Sequence, residues 1–395
     1  MRFVCLLLVS LAPSAFSAEF DKTKLAAIKP RMQQFVDDNQ LAGVVAVVGT
    51  ADGVVYQEAL GNARLEPTQA MTEDTLFRIA SMTKPMTAAA ILILADEGKL
   101  AVTDPVEKHL PEFRGQMLVS ERGKGRLVLV KPKRPITIRD LLTHTSGLPG
   151  YPEGLADVYL KRNRTLADTT LAVSQRPLDF EPGSKWSYCN SGIDTLGRIV
   201  EVVSDQRFED FMAKRIFDPL GMKSTTFQPT KEQMKRVAGL YDSKNGKLVL
   251  APDTILGQVA KSRHPVPAGG LYSTGADVAR FYRMMLNKGT LDGKKILSPK
   301  AVEQLTSVHT GDLKCGFTPG MGFGYGFAVV REPQGVTAML SAGTFGHGGA
   351  FGTQSWADPK KGVFVILLIQ RVGLPNGDGT EMRKELQRLT MEALK

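Results

Sequence analysis

Apolar positions along this chain change their spacing twice. From Lys22 to Asp38 they recur at helical intervals. Two short β-rich runs follow, Val44–Gly49 and Gly53–Leu60, joined through Thr50, Ala51, Asp52 and Gly53. An Asp-Gly pair between two such runs is hairpin chemistry. From Ser81 to about Lys295 the spacing is mostly helical. Met82–Glu97 ends at Gly98, and a short helix at Ile138–Thr143 is stopped by Ser146-Gly147-Leu148-Pro149-Gly150. Ser191–Ser204, Phe208–Ile216 and Ala276–Asn287 are amphipathic. Strand-like runs then return at Phe323–Val330, Val336–Ser341, Gly349–Ala357 and Gly362–Gln370, and Gly379–Leu394 closes the chain as a helix. Strands at both ends with helices between predict an α/β (α+β) fold. One antiparallel sheet is built by the two termini, flanked by helices, with a mainly helical inserted region. The sheet region is expected at 18–75 and 310–395 and the helical region at 76–309. A site belongs where the insert meets the sheet.

The first residues change the domain picture. Arg2 precedes a largely apolar run from Phe3 to Leu11, and Ala15-Phe16-Ser17 fits the small-x-small pattern before a cleavage point. Residues 1–17 read as a secretory signal peptide, leaving 18–395 as the working domain in a secreted or periplasmic setting. The apolar run falls well short of the ~20 residues that span a bilayer, so no stable membrane insertion is expected after cleavage. Composition is that of an ordinary globular protein, 43% hydrophobic and 23% charged.

The formal net charge is +10. The basic residues are spread out, apart from a local run of Arg122, Lys124, Arg126, Lys131, Lys133 and Arg134, which reads as a solvated hairpin. Nothing resembles a nucleic-acid recognition motif. After leader removal two cysteines remain, Cys189 and Cys315, whose pairing stays open. Neither they nor the five histidines have the spacing of a metal site, and no cofactor is called for.

Three short motifs carry chemistry. In Ser81-Met82-Thr83-Lys84 the serine and lysine share one helix face. A serine hydroxyl needs a base beside it, and a lysine serves once it is neutral. Its ordinary pKa of about 10.4 must then fall through desolvation or neighbouring charge. Tyr188-Cys189-Asn190 lies on a loop at a helix start, where tyrosine can move a proton and asparagine can donate and accept. His347-Gly348-Gly349 leads toward an apolar strand, and the glycines let a substrate lie against its backbone. Each motif alone has an ordinary structural reading: a helix cap, a buried aromatic, a glycine turn.

Together and in this order they resemble the serine hydrolases of the class C β-lactamase and penicillin-binding-protein superfamily. Family VIII carboxylesterases, D-aminopeptidases and D-alanyl-D-alanine carboxypeptidases are relatives within it. LFRIASMTKPMTAAAILILADEGKLAVTDPV, ITIRDLLTHTSGLPGY, FEPGSKWSYCNSGIDTLGRIVE, PAGGLYSTGADVARFYRMMLNKG and GHGGAFGTQSWADPKKGVFVILL carry the likeness, which covers nearly all of residues 25–390. The resemblance implies that Ser81 is the nucleophile, Lys84 its base and Tyr188 the proton relay. Asn190 would orient Lys84 and touch substrate. His347 would stand at the third-motif position, with Gly348 and Gly349 beside it, and the N–H groups of Ser81 and Ala350 would form the oxyanion hole.

The third motif departs from Lys-Thr-Gly and from Trp-x-Gly, and a histidine anchors an anion weakly at neutral pH. The leading expectation is an exported enzyme acting through a Ser81 acyl-enzyme on small carboxylic esters and possibly β-lactams. Two other readings stay open. One is a β-lactamase, D-Ala-D-Ala carboxypeptidase or D-aminopeptidase at the cell wall; the other is a non-catalytic binding protein on the same fold.

Overall fold

The computed structural model describes residues 18–150, 164–252 and 265–395. The expected leader at 1–17, together with Tyr151 and His264, lies outside them. An eight-stranded antiparallel sheet organises these residues. Its strands are β1 (Gly43–Thr50), β2 (Val54–Arg64), β3 (Gln69–Ala70), β4 (Met321–Phe323), β5 (Ala328–Val330), β6 (Phe345–Gly348), β7 (Gln354–Asp358) and β8 (Val363–Leu368). The spatial order is β4-β5-β6-β7-β8-β1-β2-β3, so the two ends of the chain meet where β1 pairs β8, with Val45 opposite Leu368 and Val47 opposite Ile366.

The sheet is covered on both faces, which is why β1 and β8 read as continuous apolar runs. Val45, Val47, Phe364, Ile366 and Leu368 enter the larger core, with α2 (Thr83–Asp96), α3 (Asn190–Ser204) and α4 (Gly275–Leu286). Val44, Ala46, Val48, Val363, Val365 and Leu367 point the other way, onto α1 (Ile28–Asp37) and α5 (Glu381–Glu392). Every residue of α2 from Thr83 to Leu94 is buried, so this helix is held by packing on all sides.

Several boundaries move from the sequence expectation, each for a local reason. The helix expected over Lys22–Asp38 is two, Lys22–Leu25 and Ile28–Asp37. Pro30 falls in the first turn of the second, where its missing N–H is tolerated. Phe323–Val330 is split into β4 and β5 by a turn in which Gly326 takes φ +70°. Val336–Ser341 is no strand: the Thr337 hydroxyl bonds the Gln334 backbone and closes a short 3₁₀ turn instead. Residues 349–353 form a turn, and His347 lies within strand β6.

The basic run forms an exposed ribbon, Leu118–Gly123 with Arg126–Val130. Arg134 leaves it to fork the buried Asp140 carboxylate at 2.5 and 2.9 Å, which steadies the turn after Ile138–Leu142. Among the described residues Cys189 and Cys315 are both buried and unpaired.

A strap at residues 265–270 crosses α2 and α3. Pro267 O accepts from Thr87 Oγ1 at 2.7 Å, and the Ala268 N–H donates to Asp194 Oδ1 at 2.8 Å. Gly197 lets the strap lie flat on α3, since a Cβ there would come within 2.3 Å of Pro267 Cγ. Gly197→Ala is therefore expected to lower the unfolding free energy by roughly 1–3 kcal/mol through overpacking, measured by urea denaturation. An unchanged midpoint would mean that the strap gives way freely.

Candidate active site

Ser81 sits in a 3₁₀ turn, Ala80–Met82, that runs directly into α2. Ala80 is held at φ +47°, a conformation a Cβ-bearing residue adopts at a cost. The turn is tied by the Thr83 hydroxyl, which donates to Ala80 O at 2.7 Å. Pro85 stands in the first turn of α2, as its missing N–H requires. Ser81 is half-buried.

Lys84 is fully buried one turn away, with Nζ 3.0 Å from Ser81 Oγ and 2.7 Å from Ala268 O. Burial pulls its pKa down to about 7, against an opposing pull from the charge of Asp194. The amine is thus a base near neutrality, within hydrogen-bond reach of the proton it would take.

Tyr188 brings its hydroxyl to Ser81, and its ring lies 4.7 Å from Lys84 Nζ. Burial raises the phenol pKa, so the resting group is a neutral O–H and Lys84 is the base of the pair. Asn190 opens α3 beside it, after Cys189 at the helix cap. The expected link from Asn190 to Lys84 does not form among the described residues; the ammonium bonds Ser81 and the Ala268 carbonyl. Asp194, one turn further along α3, takes the supporting place. It is buried, its charge acts on Lys84, and it holds the strap that carries Ala268 O. Burial raises the Cys189 thiol pKa and keeps it protonated, which leaves Ser81 as the nucleophile of this cluster.

His144 went unassigned in the sequence reading, and the structure brings it against Tyr188. Its carbonyl accepts from Ser187 N at 2.9 Å and its Nδ1 accepts from Cys189 N at 3.1 Å, so it holds the chain on both sides of Tyr188. The two rings lie 4.5 Å apart. Burial drives the His144 pKa well below its usual value, aided by the charge of Lys84.

The third motif reaches the same place through close backbone approach. A Cβ on Gly349 would meet Thr353 Oγ1 at 2.1 Å and Ile79 O at 2.5 Å, so only glycine lets β6 press on the turn that carries Ser81. Ala350 is an exposed residue, and its N–H makes no hydrogen bond among the described residues. His347 is buried, and burial together with the Lys84 charge lowers its pKa to about 4. Its Nδ1 lies 2.6 Å from Gly348 O, a carbonyl that can only accept, so the neutral ring carries its proton on Nδ1.

Trp186, Phe317 and Phe323 extend an aromatic wall from Tyr188, with Phe317 exposed at its lip. Only the aromatic at Trp186 lay near a motif in sequence, and nothing local marked Phe317 or Phe323. Among the described residues no group of three or more His, Cys, Asp or Glu side chains could hold a metal ion. A larger cleft of about 1230 Å³ lies elsewhere, lined by Lys288, Lys300, Lys360 and Lys361, and none of the motif side chains reaches it.

Comparison with known proteins agrees with this geometry. The family model described as Beta-lactamase matches residues 28–388. Esterase EstB of Burkholderia gladioli is 33% identical over 389 residues, 91% of this chain and 93% of that protein. Penicillin-binding protein 4 of Amycolatopsis lactamdurans is 31% identical over 342 residues, 85% of this chain and 82% of its own. Among solved structures, EstCE1, a hydrolase with promiscuous acyltransferase activity, superposes with a TM-score of 0.77 at 25% identity, covering 94% of this chain and 98% of that one. A family match over nearly the whole length, on a fold that gathers one serine, one buried lysine and one tyrosine, means that this chain belongs to the β-lactamase family and is a serine hydrolase.

Proposed function

We propose that this chain is an exported esterase, cleaving small carboxylic esters through an acyl-enzyme on Ser81. The observation that carries the reading is the 3.0 Å contact between Ser81 Oγ and an amine whose pKa is about 7. Neutral Lys84 takes the Ser81 proton as Oγ bonds the carbonyl carbon. The C=O electrons move to oxygen, which accepts hydrogen bonds from the N–H groups of Ser81 and Ala350; one such donor is typically worth about 10²–10³ in rate. The Lys84 ammonium returns the proton through the Tyr188 hydroxyl to the departing alkoxide, and the ester C–O bond breaks. Water then attacks the acyl-enzyme and gives its proton back along the same path, which frees the acid and Ser81. Asn190, His347, Gly348 and Gly349 line the approach of the substrate.

Esters are favoured over β-lactams and D-Ala-D-Ala peptides for two reasons. Both of the latter carry a carboxylate, and neutral His347 offers it no cation. The aromatic wall from Tyr188 to Phe317 suits an apolar group. EstB and EstCE1, an esterase and a hydrolase by name, are in keeping with this preference. Export rests on the leader-like residues 1–17.

A short-chain 4-nitrophenyl ester, a chromogenic cephalosporin and a D-Ala-D-Ala peptide, assayed side by side, test the reading. Ester turnover is expected to dominate and to vanish in Ser81→Ala. Intact mass spectrometry of the exported enzyme should find a chain that starts at Ala18 and carries one acyl adduct. Turnover of the peptide alone would overturn the ester assignment.

The base has its own signature. Acylation requires neutral Lys84, so kcat/KM should rise with pH through about 7 and level off above it. Lys84→Arg, which stays protonated, should lose about 10²–10⁴ in kcat at pH 8. An acid limb that persists unchanged in this variant would remove Lys84 from the base role.

His144 is a positioning residue for Tyr188. His144→Ala should cut kcat by about 10–100-fold with KM changed little, through misplacement of the relay. Asn tolerates the positive φ of +59° at this position and offers an oxygen to the Cys189 N–H, so His144→Asn should recover most of the loss. Equal losses in both variants, with a lowered melting temperature, would reduce His144 to a stability role.

A further inference from the structure

Strand β6 has an open edge beside the serine. Its pairing with β5 stops at Gly346, so His347 and Gly348 face no strand on that side among the described residues. A carboxylate lies over Gly348 at this edge. A Cβ on Gly348 would fall 1.8 Å from Asp378 Oδ1, so the glycine gives the carboxylate its place.

Asp378 belongs to the turn before α5 and is fixed from several directions. Its N–H donates to Asn376 Oδ1 at 3.0 Å, its Oδ1 accepts from Gln354 Nε2 at 2.9 Å, and its carbonyl accepts from Arg383 Nη1 at 2.7 Å. Among the described residues the carboxylate joins no ion pair, and it is half-exposed. Its negative charge is felt at Tyr188 and His347, two residues of the site.

Arg383 shares this neighbourhood, and its charge and that of Asp378 act on each other. Arg383 is buried behind the edge with its guanidinium 3.9 Å from the Trp356 ring, and it donates to Gln387 and to the Asp378 carbonyl. The cavity shared by Arg383, His347, Gly348 and Asp378 is about 20 Å³, room for roughly one water and not for a substrate group. Lys84 lies deep against Ser81 and is engaged in proton transfer. His347, where a cation would anchor an anionic substrate, is a neutral ring.

We propose that Asp378 sets the charge selectivity of this groove: an acyl group lying along His347 and Gly348 is accepted when cationic or neutral and rejected when it carries a carboxylate. The inference rests on the serine esterase reading and names the substrate class within it. Fixed charge at a half-exposed site acts through space and weakens with salt.

The test is a matched trio of 4-nitrophenyl esters whose acyl chains end in a quaternary ammonium, a methyl group or a carboxylate. In the wild-type enzyme at low salt, kcat/KM for the cationic ester should exceed that for the anionic one by about tenfold or more. Asp378→Asn keeps an oxygen for Gln354 and removes the charge; it should shrink this ratio by about fivefold or more and leave the neutral ester within about threefold. In wild type alone, raising salt from about 20 mM to about 500 mM should shrink the ratio as well, which keeps the idea testable if the variant folds poorly. A wild-type preference for the anionic ester overturns it. So does a ratio that neither Asp378→Asn nor salt alters. Absence of turnover even of the neutral ester would instead remove the esterase reading beneath it, a result distinct from a flat charge ratio.

Discussion

The burial of one amine governs this site. Lys84 sits without solvent contact among α2, α3 and the 265–270 strap, and that desolvation brings its pKa from 10.5 to about 7. The shift is an energetic burden on the fold, on the order of 5 kcal/mol. The sign is that of a cation made costly by burial. The burden is full at pH values below about 7, where Lys84 is charged in the folded state, and it fades as pH rises toward the unfolded value near 10.5. Much of the surrounding structure offsets it. The Ala268 carbonyl gives the ammonium a short hydrogen bond, and the buried Asp194 supplies a counter-charge while fixing the strap. A helix buried on all sides provides the dry surroundings without which the lysine would remain an ordinary surface cation.

Close backbone approach brings the other groups to this amine. Gly349 presses strand β6 on the Ser81 turn, Gly326 sets the β4–β5 turn against α2, and Gly197 admits the strap onto α3. Tyr188 needs a different device, because it lies on a loop. His144 supplies it by bonding the chain one residue before and one residue after the tyrosine. The neutral phenol and the near-neutral amine then divide the work: Lys84 can hold the proton, and Tyr188 can pass it on.

The electrostatic balance of the groove follows from the third motif. A lysine at His347 would place a cation on the open edge of β6. The histidine there is buried and neutral, and the half-exposed Asp378 carboxylate lies over its neighbour Gly348. The hydrolase machinery and the proposed substrate preference are thus separable: the first depends on Lys84, the second on His347 in β6 and Asp378 in the turn before α5.

The sequence by itself determined the architecture and the reacting groups. Uninterrupted apolar runs at Val44–Gly49 and near Gly362–Gln370 required strands buried on both faces, and the helical spacing between them required the insert. Ser81 and Lys84 are neighbours on one helix by local geometry alone, so their contact was legible from an i, i+3 spacing. Tertiary structure alone decided the rest. Asp194, His144, Phe317 and Asp378 act on groups far from them in sequence, and no local pattern marks a contact made by packing across the chain. The Lys84 partner Ala268 O, on a strap far along the chain, was hidden from the sequence for the same reason. A pKa depends on how much water is excluded and which charges remain, and only the folded chain sets either quantity.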